Sequence, residues 1–199
     1  MFEILCVTNR SLCGEHFLSR IEKIAAAQPA GILLREKDLP EEEYRMLAEA
    51  VLKICEKHGT PCILHSFVNT ALALGARSIH LPMRILSTLS QAERKAFPVL
   101  GASCHSAEEA VLAETLGCTY ITAGHVFDTD CKKGLPGRGI PFLQEVCKSV
   151  SIPVYAIGGI TAENTAEVQS AGARGACVMS GIMQCTDPGE YLNTFSERF

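Results

Sequence analysis

Eight short apolar runs, each nearly continuous, recur along this chain at intervals too long for hairpins. They are FEILCVTN (2–9), AGILLRE (30–36), PCILHS (61–66), SIHLP (78–82), VLGASC (99–104), YITAGHV (120–126), PVYAIGG (153–159) and GACVMSG (175–181). A strand without polar alternation is covered on both faces, the condition of a parallel sheet between helices.

Helical segments fill the intervals. EEEYRMLAEAVLKICEKHG (41–59) starts acidic, ends Lys-His-Gly, and spaces Met46, Leu47, Val51 and Ile54 along one side. SAEEAVLAETLG (106–117) opens on Ser106 with Glu109 three residues on, the pattern of a capping box, and closes on Gly117. TAENTAEVQSAG (161–172) repeats that logic, and the last segment, from Asp187, carries Pro188 at its first helical position. Eight strands alternating with eight helical segments in 199 residues predict an α/β fold, a single-domain (β/α)₈ TIM barrel over residues 1–199. The alternative, an open doubly wound sheet, would put G-x-G-x-x-G after the first strand, where this chain reads Thr8-Asn9-Arg10.

A net charge of −4 with dispersed basic residues predicts no nucleic-acid or membrane partner. The one tight basic group is Lys132, Lys133 and Arg138, enough for one phosphate or carboxylate. No run is long enough to span a membrane, and the start lacks a basic leader, so a cytoplasmic location is expected. Of ten cysteines none forms a C-x-x-C pair, and Cys6, Cys62, Cys104 and Cys177 lie inside apolar runs. They read as buried free thiols, with no metal site expected.

Barrels of this kind carry their chemistry at the C-terminal strand ends. Here those ends hold Thr8, Arg35 to Lys37, His65, His80, Ser103 to His105, His125, Gly158 with Gly159, and Ser180 with Gly181. The last two pairs end strands seven and eight, where backbone N–H groups can approach a phosphate. Arg35-Glu36-Lys37 suits an anion, although an exposed ion-pair cluster fits the same residues. The loop GHVFDTDCKKGLPGRG (124–139) reads as a basic lid, with His125 at its root as a proton shuttle near neutral pH. His65 and His105 read as hydrogen-bonded structural residues, with assistance in proton transfer as the alternative, and His16 and His58 as solvated.

LREKD (34–38), GASCH (101–105), the loop after strand six and AIGGI, beginning at Ala156, together resemble the thiamine phosphate synthase superfamily. The resemblance covers nearly the whole chain and implies the same (β/α)₈ fold. In the synthase branch, Asn-Asp after strand three and Gly-Gln-x-Asp after strand four hold Mg²⁺ for a departing pyrophosphate. This chain has His65-Ser66 and Pro82-Met83-Arg84-Ile85 there, so both metal carboxylates are missing.

The lid sequence is closest to the TenI-type thiazole tautomerases, which implies a metal-independent proton shift that aromatises carboxythiazole phosphate. On that resemblance His125 is the acid/base and no cofactor is needed. Arg35 and Lys37 face the anionic end of a small phosphorylated thiazole, and Gly158, Gly159, Ser180 and Gly181 hold its phosphate. Ser103 and Thr129 donate near the ring or lid, Lys132 clamps an anion, and assembly as a homodimer is implied. A synthase with altered metal ligands and a non-catalytic, regulatory thiazole-phosphate binder are the alternatives.

Overall fold

The computed structural model describes residues 2–129, 132 and 134–196. Strands β1 (Glu3–Val7), β2 (Gly31–Leu34), β3 (Cys62–His65), β4 (Ser78–Pro82), β5 (Val99–Cys104), β6 (Tyr120–Gly124), β7 (Val154–Ile157) and β8 (Gly175–Val178) occupy all eight apolar runs. Each pairs in parallel with the next, and β1 pairs with β8 to close the barrel.

Alternation along the strands builds two separate cores. Ile4, Cys6, Ile32, Leu34, Leu64, Ile121 and Ala123 face the helices. Leu5, Val7, Leu33, Ile63, Tyr120, Tyr155 and Cys177 fill the barrel itself. The same parity sends His65, His80, Ser103 and Thr122 inward, so the upper layer of the barrel is polar.

Helices α1 (Phe17–Ala26), α2 (Glu41–His58), α3 (Val68–Ala73), α4 (Met83–Leu86), α5 (Gln91–Lys95), α6 (Ala107–Thr115), α7 (Gly139–Ser149), α8 (Thr165–Ser170), α9 (Ser180–Gln184) and α10 (Pro188–Ser196) surround it. Two links depart from one helix per strand: α4 and α5 share the passage from β4 to β5, and α9 precedes α10 after β8. α9 stands at the phosphate-binding position of many barrels.

The expected stripe on α2 holds in part, with Val51 buried and Leu47 and Ile54 packed against the core, but the buried face is centred elsewhere. Tyr44, Ala48, Val51 and Cys55 are its buried residues, while Met46 is 56% exposed. Tyr44 sets that centre, because its hydroxyl donates to the Leu34 carbonyl at 2.8 Å and accepts from His65 N–H at 2.9 Å. At α6 the Ser106 hydroxyl caps Glu109 N–H, but the Glu109 carboxylate takes the N–H of His105, one residue before the expected box. His58, expected to be solvated, is half-buried with Nε2 2.6 Å from the Glu22 carboxylate.

Candidate active site at the barrel mouth

A cavity of about 1460 Å³ opens at the C-terminal strand ends. All ten residues singled out for the site line it: Arg35, Lys37, Ser103, His125, Thr129, Lys132, Gly158, Gly159, Ser180 and Gly181. Thr8 does not. It is fully buried, with its hydroxyl donating to the Glu36 carboxylate at 2.6 Å and accepting from Arg35 N–H at 3.0 Å.

Glu36 explains the geometry of its neighbours. It is 2% exposed, and its carboxylate accepts Arg10 N–H at 3.0 and 3.1 Å besides the Thr8 hydroxyl. Burial raises its pKa against the pull of those donors. The exposed ion-pair cluster is therefore corrected at its centre: Glu36 is an internal tie between the loops after β1 and β2, with Arg35 and Lys37 on the cavity.

Positive charge gathers on that side. The Lys37 ammonium is pushed below its ordinary pKa by burial first, then by Arg35, Lys132 and Arg84. Arg84, from the start of α4, is a member that the sequence reading did not assign. Its signal is its place directly after the β4 strand end. Arg138, grouped in sequence with Lys132 and Lys133, lies instead over the Phe142 ring at 5.3 Å. Lys133 lies outside the described residues, as do Asp130 and Cys131 of the same loop.

Opposite stands the glycine side. Gly158 and Gly159 take φ of +100° and +66°. A Cβ on Gly158 would fall 2.4 Å from the His125 Cβ, and one on Gly159 2.5 Å from the Asp128 carbonyl oxygen. The two glycines therefore admit the loop after β6 as well as baring backbone. Asn164 pins their loop, accepting Thr161 N–H at 3.0 Å and donating to the Gly159 carbonyl at 2.8 Å. Beside them, after the neighbouring strand β8, Ser180 and Gly181 open α9, whose first N–H groups have no acceptor within the helix. Tyr191 of α10 lines the cavity here, and its hydroxyl stands where a Gly181 Cβ would be, 2.2 Å away. No local motif around Tyr191 announces this position.

The loop root is tied to the barrel. Val126 N–H donates to the Ile157 carbonyl, Phe127 N–H to Gly158, and Arg138 N–H to His125. Gly137 N–H donates to the Asp128 carboxylate at 2.6 Å, so this acid serves the loop's shape. His125 Nε2 lies 3.2 Å from the Leu135 carbonyl oxygen, which can only accept; the neutral ring therefore carries its proton on Nε2 and a lone pair on Nδ1.

Two further histidines floor the mouth. His80 is held between the Tyr120 hydroxyl at 2.9 Å and the Ser103 hydroxyl at 2.8 Å. His65 stacks on it with ring centroids 6.0 Å apart and contacts the Ser66 hydroxyl at 2.8 Å. Burial, followed by neighbouring positive charge, drives their pKa values down, to about 2 for His65 and about 3 for His80, so both are neutral.

The residues at the family's metal positions do not suit Mg²⁺. His65-Ser66 offers no carboxylate, and Ile85 stands at the Asp position of the second element, with the positive charge of Arg84 just before it. Among the described residues no group of three or more His, Cys, Asp or Glu is arranged to hold a metal ion. The nine described cysteines are free thiols, and no helix among the described residues is long and apolar enough to cross a membrane.

The chain's relatives agree with this architecture. Thiamine-phosphate synthase from Roseiflexus sp. (strain RS-1) is 33% identical over 192 residues, covering 93% of this chain and 80% of that protein. The enzyme of that name from Desulfitobacterium hafniense (strain Y51) is 35% identical over 191 residues, covering 94% and 92%. Among solved structures, thiamine phosphate pyrophosphorylase from Pyrococcus furiosus superposes with a TM-score of 0.83 at 27% identity, covering 98% of this chain and 94% of that one. A 3-hexulose-6-phosphate synthase, at 15% identity and TM-score 0.71, shares the fold alone. The family model described as thiamine monophosphate synthase matches residues 4–182, and the chain belongs to that family.

Proposed function

We propose that this protein is a thiazole tautomerase of thiamine biosynthesis, which aromatises carboxythiazole phosphate by a proton shift without metal. The observation that carries this reading is the contact between acid/base and anion loop: His125 packs its Cβ against Gly158, while its Nδ1 lone pair is left for the cavity. A ligand whose phosphate sits on the Gly158–Gly159 and Ser180–Gly181 side holds its ring within reach of that imidazole. Arg35 and Lys37 take the ring carboxylate at the other end. The base removes the proton from the ring carbon bearing the carboxylate, a proton reaches the exocyclic carbon, and aromatisation drives the shift.

Residue chemistry supports a reaction without Mg²⁺. Among the described residues the cavity's acids are Asp128, committed to Gly137 N–H, and Glu163, far in sequence from the family's two metal positions. Turnover that withstands EDTA and fails in His125→Asn is the expected result.

A second reading has its own support. Relatives 31% to 35% identical bear the name thiamine-phosphate synthase, and that activity joins a pyrimidine diphosphate to a thiazole phosphate. In this chain Arg35, Lys37, Arg84 and Lys132 would then neutralise the departing diphosphate. Formation of thiamine phosphate from both substrates, measured with and without Mg²⁺, separates this reading from the first.

A further inference from the structure

His105 shares one peptide unit with His125. Its ring Nδ1 lies 2.8 Å from the carbonyl oxygen of Gly124, and the nitrogen of that same peptide belongs to His125. A carbonyl oxygen only accepts, so Nδ1 of His105 carries the proton and Nε2 carries the lone pair. The backbone is held as well, since His105 N–H donates to the Glu109 carboxylate at 2.6 Å. The residue lines the cavity, and Nε2 has no protein partner among the described residues.

The mouth therefore holds two imidazoles of fixed and opposite tautomer. His105 offers Nε2 and His125 offers Nδ1, each with its other nitrogen bonded to a backbone carbonyl. His65 and His80 are different, being neutral and hydrogen-bonded in the floor. The proton shift has two carbon termini, and a single imidazole would have to reach both.

We infer that His105 is a second catalytic residue and that the two histidines divide the proton shift, an inference that rests on the tautomerase reading. One imidazole enters neutral and takes the proton from the ring carbon; the C–H electron pair moves into the ring. The other enters as imidazolium and gives its proton to the exocyclic carbon, whose alkene pair forms the new C–H bond. Solvent then returns both rings to their starting states. No redox partner or leaving group is involved.

The test uses His105→Asn, whose amide N–H stands close to the Nδ1 position and keeps the bond to Gly124 while removing Nε2. A general acid/base contribution lowers kcat by about 10²-fold or more, with KM within about threefold. Substrate deuterated at the ring carbon, turned over in H₂O by wild type, tests whether one imidazole carries the proton directly between the carbons. With two dividing the shift, no deuterium reaches the exocyclic carbon. Deuterium transfer between the carbons, or a His105→Asn variant that keeps wild-type kcat, overturns the inference while the tautomerase reading stands. A wild type without turnover overturns both.

Discussion

His80 Nε2 and the Ser103 hydroxyl lie 2.8 Å apart in the floor of the mouth, with Tyr120 closing the other side of the ring. Both ring nitrogens are thus engaged, and a proton added to the imidazole would be a buried charge beside Arg35.

This has a consequence for stability against pH. The folded-state pKa values of His65 and His80, about 2 and about 3, lie below the ordinary histidine value. In acid the unfolded chain therefore binds protons that the folded chain does not. The stability contributed is complete above the unfolded pKa near 6.5 and is lost as pH falls towards 3, by up to about 1.4 kcal/mol per pH unit for each histidine. Denaturant titrations from pH 7 to pH 4 should show it, and His80→Gln should flatten the slope. Proton NMR should find two of the six imidazoles silent between pH 5 and 8.

Glu36 joins the loops after β1 and β2, so its removal should act on folding before it acts on chemistry. Glu36→Ala leaves the Thr8 hydroxyl and Arg10 N–H without their acceptor. A loss of about 2–3 kcal/mol is expected in urea unfolding, with Glu36→Gln costing roughly half. Equal stability of Glu36→Ala and wild type would show that the tie contributes nothing.

The glycines make opposite predictions. Gly158→Ala meets the His125 Cβ and Cα at 2.4 and 2.9 Å, a contact with fixed atoms, and requires φ of +100°. It should lower kcat by about 10²-fold by misplacing His125. Gly181→Ala meets only the end of the Tyr191 side chain, so it should weaken phosphate-ligand binding. The double variant Gly181→Ala/Tyr191→Ala should recover part of that loss. Calorimetry with the ligand checks the second pair, and no recovery would mean the methyl acts on the backbone of α9.

The cationic side should be read in affinity and salt dependence. Lys37→Gln removes the charge at the centre of the Arg35, Arg84 and Lys132 group. Anion affinity should fall by about 10-fold or more, and the remaining binding should depend less on salt. Unchanged affinity would remove Lys37 from the binding site.

Strand order and the gathering of the candidate residues at one mouth were legible because both follow from short-range pattern: continuous apolar runs, and the polar residues that end them. Most runs outlast their strands, as at β6, where YITAGHV continues past Gly124 into the loop, and at β8, where GACVMSG continues past Val178 into α9. What escaped depends on contacts distant in sequence. The burial of Glu36 needs Thr8, which is 28 residues away. The centre of the buried face of α2 is Tyr44, which reaches β2 and β3, and this leaves Met46 exposed. Tyr191 lines the mouth from an element whose local sequence marks only a helix, and Arg84 of α4 acts on the mouth through its charge on Lys37. Choosing between tautomerase and synthase is a question of residue chemistry, since the fold serves both.

The most direct test of the central claim is the ultraviolet change on aromatisation of carboxythiazole phosphate, with EDTA present, for wild type and His125→Asn. The account predicts enzyme-accelerated conversion that EDTA leaves intact and that falls by about 10²-fold or more in the variant. No acceleration by wild type, or full activity in His125→Asn, would contradict it.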